Sequence, residues 1–238
     1  MPTLTGYLKQ FDKLAFALSG GPDSAVLLRE TVKALGPARV IAITIKGTCT
    51  PTSRIMLAQR IAQLAQVEHI VISADTLEER DFCDAPGIRC ANCKQNALLF
   101  ALKEAFLRGY NNCATGLNLS DPVQLHSGFS FDGLVHPFIA CKMSSKETMA
   151  LRGGKISSNY NDCLFERIKD DIKPSFDLLD TIDAIEQALL SAGITAEAHV
   201  YKGGVRLVSP SSGNVIVESE RHKAAAILAE FGSAPLFE

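Results

Sequence analysis

Leu14-Ala15-Phe16-Ala17-Leu18-Ser19-Gly20-Gly21-Pro22-Asp23-Ser24 passes from an apolar pentad straight into a glycine pair, then into a serine that opens a helical pattern. The pentad is short, uninterrupted and closed by turn formers, the signature of a strand buried on both faces. From Ser24 to about Leu35 apolar residues recur at helical spacing, and Gly36-Pro37 stops them. Two glycines between a strand and a helix let backbone N–H groups close on an anion. The helix N-terminus adds free donors and partial positive charge at the same place. Ser19 and Ser24 contribute hydroxyl donors, and Asp23 brings a carboxylate to orient the nest or a Mg²⁺ ion. The stretch has no Gly-Lys-Ser/Thr and no Gly-x-Gly-x-x-Gly, so it is neither a Walker A loop nor a dinucleotide fingerprint.

The pattern continues outward. Val40–Ile45 reads as a second buried strand, Ser53 to about Gln66 as a helix and His69–Ser73 as a third strand. This βαβαβ order, with β-branched strands expected to be buried on both faces, predicts an α/β fold with a doubly wound parallel sheet. Thr76 to Arg89 reads as a loop with Pro86-Gly87 as its turn, followed by a helix from Cys93 to about Arg108 that ends at Gly109. Asn112–Gly116 makes a fourth strand, and residues 117–135 have the turn-rich composition of a long functional loop. Ser144 with Glu147 forms a capping box for a short helix to Leu151, stopped by Gly153-Gly154.

Composition shifts near Asp170, and Lys173-Pro174-Ser175 reads as a hinge. Phe176–Ala192 carries Leu178, Leu179, Ile182, Ile185 and Leu189 on one stripe of a long helix. Strands are expected at Ala196–Tyr201, Val205–Val208 and Val215–Glu218, with Ser211–Asn214 as the last turn and a helix from about Glu220 to Phe231. Lys202 to Arg206 reads as a β-turn rather than a phosphate site. The expected division is residues 1–170 as the nucleotide domain and 171–238 as a small α+β module.

The chain has 238 residues, 24 Lys+Arg against 26 Asp+Glu, and a net charge of −2, which excludes a strongly basic nucleic-acid binder. No apolar run approaches about 18 residues, and the first residues lack a signal-type apolar core, so a cytoplasmic protein without a membrane partner is expected. There is no Trp, so no base-stacking platform is evident. His126 and His136, in or beside the long loop, read more readily as turn residues than as substrate contacts.

Seven cysteines are many for a chain of this kind. Arg89-Cys90-Ala91-Asn92-Cys93-Lys94 is a Cys-x-x-Cys at an expected loop-to-helix boundary. Alone it allows a redox pair, half a zinc site or part of an iron–sulfur site. Cys163 is one candidate for a third ligand, and Cys83, Cys113 and Cys141 are competitors. Cys49, Cys113 and Cys141 sit in apolar or strand-adjacent contexts and read as buried structural residues.

Ser-Gly-Gly-x-Asp-Ser at Ser19–Ser24 resembles the PP-loop signature of ATP pyrophosphatases. That resemblance implies cleavage of ATP between its α and β phosphates, with Ser19, Gly20, Gly21, Asp23 and Ser24 holding the pyrophosphate and the adenine lying near Thr44 and Thr115-Gly116. The order of motifs is closer still to one family. Arg89-Cys90-x-x-Cys93-Lys94, then Gly116-x-Asn118-x-x-Asp121, then Cys163-Leu164-x-x-Arg167-Ile168 resembles the LarE sulfur transferases over about residues 4–170. Those enzymes use ATP to build the nickel-pincer nucleotide cofactor. One branch of the family surrenders the sulfur of a single cysteine at the position of Cys163, leaving dehydroalanine. The other holds a 4Fe–4S cluster on three cysteines, which here match Cys90, Cys93 and Cys163, and can carry an extra sulfide on its open iron. The resemblance further implies Asp121 as a Mg²⁺ ligand, Lys94 and Arg167 as groups offsetting phosphate charge, a separate sulfur donor, and a homo-oligomer. Ser120-Asp121 stands where the family has an acidic pair, and Cys163-Leu164-Phe165-Glu166-Arg167 where it usually has Cys-Leu-Ser-Ser-Arg. The acceptor is read as a small molecule or nucleotide. A tRNA thiolase, which also pairs a PP-loop with three cysteines, is the main alternative and is opposed by the net charge. A non-catalytic nucleotide sensor and an ammonia-using ligase are weaker ones.

Overall fold

The apolar pentad and the strand that follows it lie inside a parallel sheet because their alternate residues have helices to pack against on either face. The computed structural model describes residues 2–84, 86–122, 131–152, 163–169, 172–209, 216 and 218–236. Strands β1 (Leu14–Ala17), β2 (Val40–Lys46), β3 (Glu68–Ser73), β4 (Cys113–Ala114) and β5 (Leu134–Val135) pair in the order β3-β2-β1-β4-β5. Every pairing in this sheet is parallel. Helices α1 (Leu4–Leu8), α2 (Pro22–Leu35), α3 (Thr52–Ala65), α4 (Pro86–Leu107), α5 (Pro137–Ala140) and α6 (Ser145–Arg152) surround it.

The two-residue period divides the core. Leu14, Phe16, Val40, Ala42 and Ala114 pack with Leu27 and Leu28 of α2 and with Ala58 and Ala62 of α3. Ala15, Ile41, Ile43 and Cys113 face Ala101, Leu102 and Ala105 of α4. Each large apolar side chain buried this way contributes about 1.5–3 kcal/mol. This is the doubly wound α/β sheet expected from the first third of the sequence.

The details differ in three places. The third strand is not buried on both faces: β3 is the sheet edge, and Val71 is exposed. The elements α1, α5 and β5 were not expected, because segments of two to five residues are too short to show a period. Finally, Pro86-Gly87 begins α4 instead of forming a turn. A proline at the first helical position gives up only an N–H that would have no helical partner, and its φ already suits the helix. Cys90 and Cys93 therefore both lie within the first turns of α4, whereas the expected helix begins only at Cys93.

The chain forms two compact units, Met1–Gly47 with Arg54–Ile156 and Thr48–Ser53 with Ser157–Glu238. In the second, α7 (Phe176–Ser191) buries Leu179, Ile182, Ile185 and Leu189. Its N-cap Ser175 accepts a hydrogen bond from the Leu178 N–H at 3.2 Å. Strands β6 (Glu197–Tyr201) and β7 (Gly204–Val208) make an antiparallel hairpin turning at Lys202-Gly203, and α8 (Glu218–Glu230) follows. Gly153-Gly154, the Ser211–Asn214 turn, His126 and half of the expected strand at Val215–Glu218 lie outside the described residues, and Glu218 begins α8.

A buried ionic knot ties this unit together. Arg167, 2% exposed, ends a short 3-10 turn (Leu164–Arg167). Its Nε donates to Glu186 Oε1 of α7 at 2.9 Å, and its Nη2 lies 3.4 Å from Glu197 Oε1 of β6. The Ala198 N–H also donates to Glu186 Oε1, at 3.0 Å. Burial pushes the Glu186 carboxyl above its usual range, while the guanidinium and that N–H pull it back.

Candidate active site

In an open parallel sheet, ligands bind beyond the carboxyl ends of the strands, where the strand order reverses. Here that point lies between β1 and β4. Ser19–Ser24 leaves β1 and Thr115-Gly116 leaves β4, so the glycine loop sits at the reversal. Gly21 is the N-cap of α2, Pro22 opens the helix and Asp23 stands in its first turn. The loop braces itself. The Gly21 N–H donates to Ser19 Oγ at 3.2 Å, the two serine hydroxyls lie 3.2 Å apart, and Ser24 Oγ donates to the Gly21 carbonyl at 2.8 Å. Gly20 has φ +77°, and a Cβ there would stand 2.8 Å from the Arg54 carbonyl oxygen. A Cβ on Gly116 would stand 2.9 Å from Ser24 N and 3.0 Å from Ser24 Cα. Glycine at 116 is thus what lets the β4 loop close onto the head of α2.

Two arginines flank this loop. Arg54, in the first turns of α3, is 3% exposed, and its Nη2 lies 3.2 Å from the place of a Cβ on Gly21. Arg152, at the end of α6, donates from Nη2 to Asp23 Oδ1 at 2.5 Å, with its side chain 7% exposed. The other Asp23 oxygen accepts from Asn118 Nδ2 at 3.3 Å. Asp121 in turn accepts the Asn118 N–H at 2.8 Å, and Asn118 Oδ1 accepts the Ser120 N–H at 2.9 Å. Gly116, Asn118 and Asp121 therefore form one turn joined to the glycine loop through Asp23. Asp23 spends its carboxylate on orienting that junction. Neither arginine is legible in the sequence, because each sits on an ordinary helix remote from the loop and no local pattern marks it.

Thr44 and Thr115, at the ends of the strands flanking β1, are each paired with a histidine. Thr44 Oγ1 donates to the Leu18 carbonyl at 2.6 Å and lies 2.8 Å from His69 Nε2. With its one proton given to Leu18, the hydroxyl accepts from an Nε2–H of His69. Thr115 Oγ1 lies 2.6 Å from His136 Nδ1. Burial holds His69 below the usual histidine range. The unfolded chain then takes up a proton on this residue at a higher pH than the folded one. Stability is full above the ordinary histidine pKa and falls as pH drops below it. The midpoint of thermal unfolding is expected to decrease between about pH 7 and about pH 5.5 more steeply in the native chain than in His69→Gln. Parallel slopes in the two proteins would contradict the assignment.

The cysteines separate by environment. Cys113 is fully buried in β4, and burial pushes its thiol up to about 12. Burial also raises Cys141, at the end of α5. Cys83 lies in a short 3-10 turn, Glu79–Cys83. Cys90 and Cys93 are half-buried and three residues apart on α4, hence on one helix face. Cys93 Sγ lies 3.3 Å from Thr76 Oγ1, and Asn96 Nδ2 donates to the Thr76 carbonyl at 2.9 Å. A polar cleft of about 210 Å³ is lined by Asp75, Glu78, Arg80 and Asp81 together with Asn92 and Asn96, which stand before and one turn after Cys93 on α4. Lys94 is exposed on the same helix. Cys163, also half-buried, belongs to the second unit. Among the described residues no three His, Cys, Asp or Glu side chains gather where a metal ion would sit. The α4 thiols suit two thiolates of a cluster.

Residues 3–87 match the sequence model of the family described as NAD synthase. The doubly wound parallel sheet is the α/β fold that the resemblance to PP-loop ATP pyrophosphatases implies. The family match spans less than half of the chain and does not single out LarE. Among solved structures, NMN synthetase from Francisella tularensis is similar at 16% identity and a TM-score of 0.49, over 63% of this chain and 66% of that one. The U34-tRNA thiolase NcsA from Methanococcus maripaludis, solved with its [4Fe-4S] cluster, is similar at 18% identity and a TM-score of 0.48, over 78% of this chain and 73% of that one. No curated protein sequence matches the chain. Among the described residues no helix is long and apolar enough to cross a membrane.

Proposed function

We propose that this PP-loop protein is an ATP-dependent, adenylating sulfur transferase of LarE type, acting on a small-molecule or nucleotide acceptor. The observation that carries the adenylating part is the self-braced Ser19–Ser24 loop, set at the reversal of strand order between Arg54 and Arg152. An α2 N-terminus flanked by two guanidiniums is an anion receptacle. MgATP would lay its β and γ phosphates there, with Ser19, Gly20, Gly21 and Ser24 donating and Asp121 as the proposed carboxylate for the metal of the substrate. Thr44 and Gly116 would border the nucleoside. An acceptor carboxylate or carbonyl oxygen attacks the α-phosphorus and forms a P–O bond as the bond to the β-phosphate oxygen breaks. Pyrophosphate leaves into the loop, where preorganised donors take up its charge without reorganising.

Sulfur then attacks the activated carbon and AMP departs. Cys90, Cys93 and Cys163 are the proposed sulfur-handling residues, as ligands of a 4Fe–4S cluster that would supply a reusable sulfide, with Lys94 beside them as a counter-charge. A second reading rests on the half-buried thiol of Cys163 by itself: this cysteine alone gives up its sulfur. In either case Arg167, whose Nη1 donates to the Cys163 carbonyl at 3.4 Å, acts as a positioning residue for that cysteine. The cleft beside Cys93 would receive the acceptor. Its three carboxylates against one arginine repel a polyanion, so a small acceptor is favoured over tRNA.

ATP labelled on its α-phosphate, incubated with Mg²⁺ and a panel of carboxylate and carbonyl acceptors, is expected to give labelled AMP. Labelled ADP as the product would contradict adenylation. Anaerobic reconstitution followed by iron and sulfide assay separates the two sulfur readings. About four irons per chain in the native protein, lost in Cys90→Ala, are expected for the cluster. Colourless protein, with dehydroalanine at 163 after turnover, is expected for the single-use cysteine.

A further inference from the structure

We propose that Cys49 and Cys163 form a thiol–disulfide exchange site, closing reversibly to a disulfide on reaction with a low-molecular-weight disulfide. Both are thiols, and both belong to the second unit. The Leu164 N–H donates to the Cys49 carbonyl at 2.9 Å, so the residue after Cys163 is backbone-paired with Cys49. Segments bonded this way run about 5 Å apart, within the window of about 4.4–6.8 Å between α-carbons that a disulfide spans.

Helix α7 fixes both segments. Asp183 accepts the Thr52 N–H at 2.8 Å and the Thr52 hydroxyl at 2.7 Å, holding the strand-to-helix connection that carries Cys49. Glu186, on the next turn of the same helix, holds Arg167, whose Nη1 reaches the Cys163 carbonyl. Leu164 and Phe165, next in sequence to Cys163, are buried and keep the segment from sliding. Two adjacent carboxylates on one helix therefore set the register between the two cysteines.

Exposure gives the order of events. Cys163 is half-buried, whereas Cys49 is only 3% exposed. The Cys163 thiolate attacks one sulfur of the external disulfide, forming a mixed disulfide and releasing one thiolate. Cys49 Sγ then attacks Cys163 Sγ and releases the second. The pair gives up two electrons and two protons, and the external disulfide leaves as two thiols. A dithiol reductant reverses the step. Resting on the reading of Cys163 as a sulfur-handling residue, the closed pair withdraws that sulfur from transfer.

The test uses the full chain, reduced and without metal, treated anaerobically with oxidised glutathione and digested with trypsin under non-reducing conditions. Cys49 falls in the peptide 47–54, Cys163 in 156–167, and Cys90 with Cys93 in 90–94. A cross-link between 47–54 and 156–167 is expected in the native chain and in Cys90→Ala. Cys49→Ser should instead retain glutathione on Cys163. The proposal is overturned if Cys163 cross-links to 90–94, or if the native chain keeps glutathione on Cys163 as Cys49→Ser does. Reconstituting the oxidised and reduced forms side by side keeps the two ideas apart. Iron uptake by the reduced form only, restored to the oxidised form by dithiothreitol, supports both. A cross-link with no iron in either form supports the pair and removes the cluster.

Discussion

Arg167→Met is expected to destabilise the second unit by about 3–5 kcal/mol, the cost of leaving buried carboxylates without their cation. The guanidinium is 2% exposed and bonds or faces Glu186 and Glu197, each of which is itself nearly enclosed. Methionine fills much of the volume but leaves two carboxylates to repel each other or take up protons. Because the chain has two units, a single unfolding midpoint would blur the effect. Hydrogen exchange resolved by peptide is the better measurement. Protection should fall across Leu164–Arg167, α7 and β6 while β1, β2 and α2 keep theirs. Adding Glu186→Gln should recover part of the loss, since a neutral amide can still accept the Ala198 N–H. Unchanged exchange in α7 and β6 would show that Arg167 is not the tie.

Gly116→Ala should remove nucleotide binding while leaving the fold in place. The new Cβ would meet backbone atoms of Ser24 at 2.9 and 3.0 Å, and backbone cannot swing aside as a side chain can. Either the β4 loop or the first turn of α2 must retreat. Overpacking of this kind costs about 1–3 kcal/mol. The functional cost is larger, because the Ser24 N–H is one of the donors proposed to hold the phosphates. A misplacement approaching 1 Å weakens such a site on the order of 100-fold. Calorimetry with MgATP should show the loss, and circular dichroism should show a helix content equal to the native protein's.

The glycine loop was legible because its information is local. Strand, two glycines, proline and serine lie within eleven successive residues, and each does in the fold what its type suggests. The doubly wound sheet was legible for a related reason, since buried strands and their crossover helices carry their periods in short windows. Pro86-Gly87 was read as a turn because the same pair serves a turn or a helix start, and only the packing of α4 on β1 and β2 decides between them. Arg54 and Arg152 were invisible because their meaning lies in what they approach. The same holds for Asp183 and Glu186, which look like solvated charges on an amphipathic helix and are buried tethers. Long-range polar contacts have no sequence period, so the electrostatic half of the site came from the structure.

The direct measurement of the central claim is the binding of pyrophosphate, the product the loop is proposed to hold. Titrated calorimetrically into the native chain with Mg²⁺, pyrophosphate is expected to bind and to compete with ATP. Folded Gly116→Ala should show neither effect. Pyrophosphate that binds the variant as it binds the native chain, or a native chain that binds ATP without competition from pyrophosphate, would contradict the account.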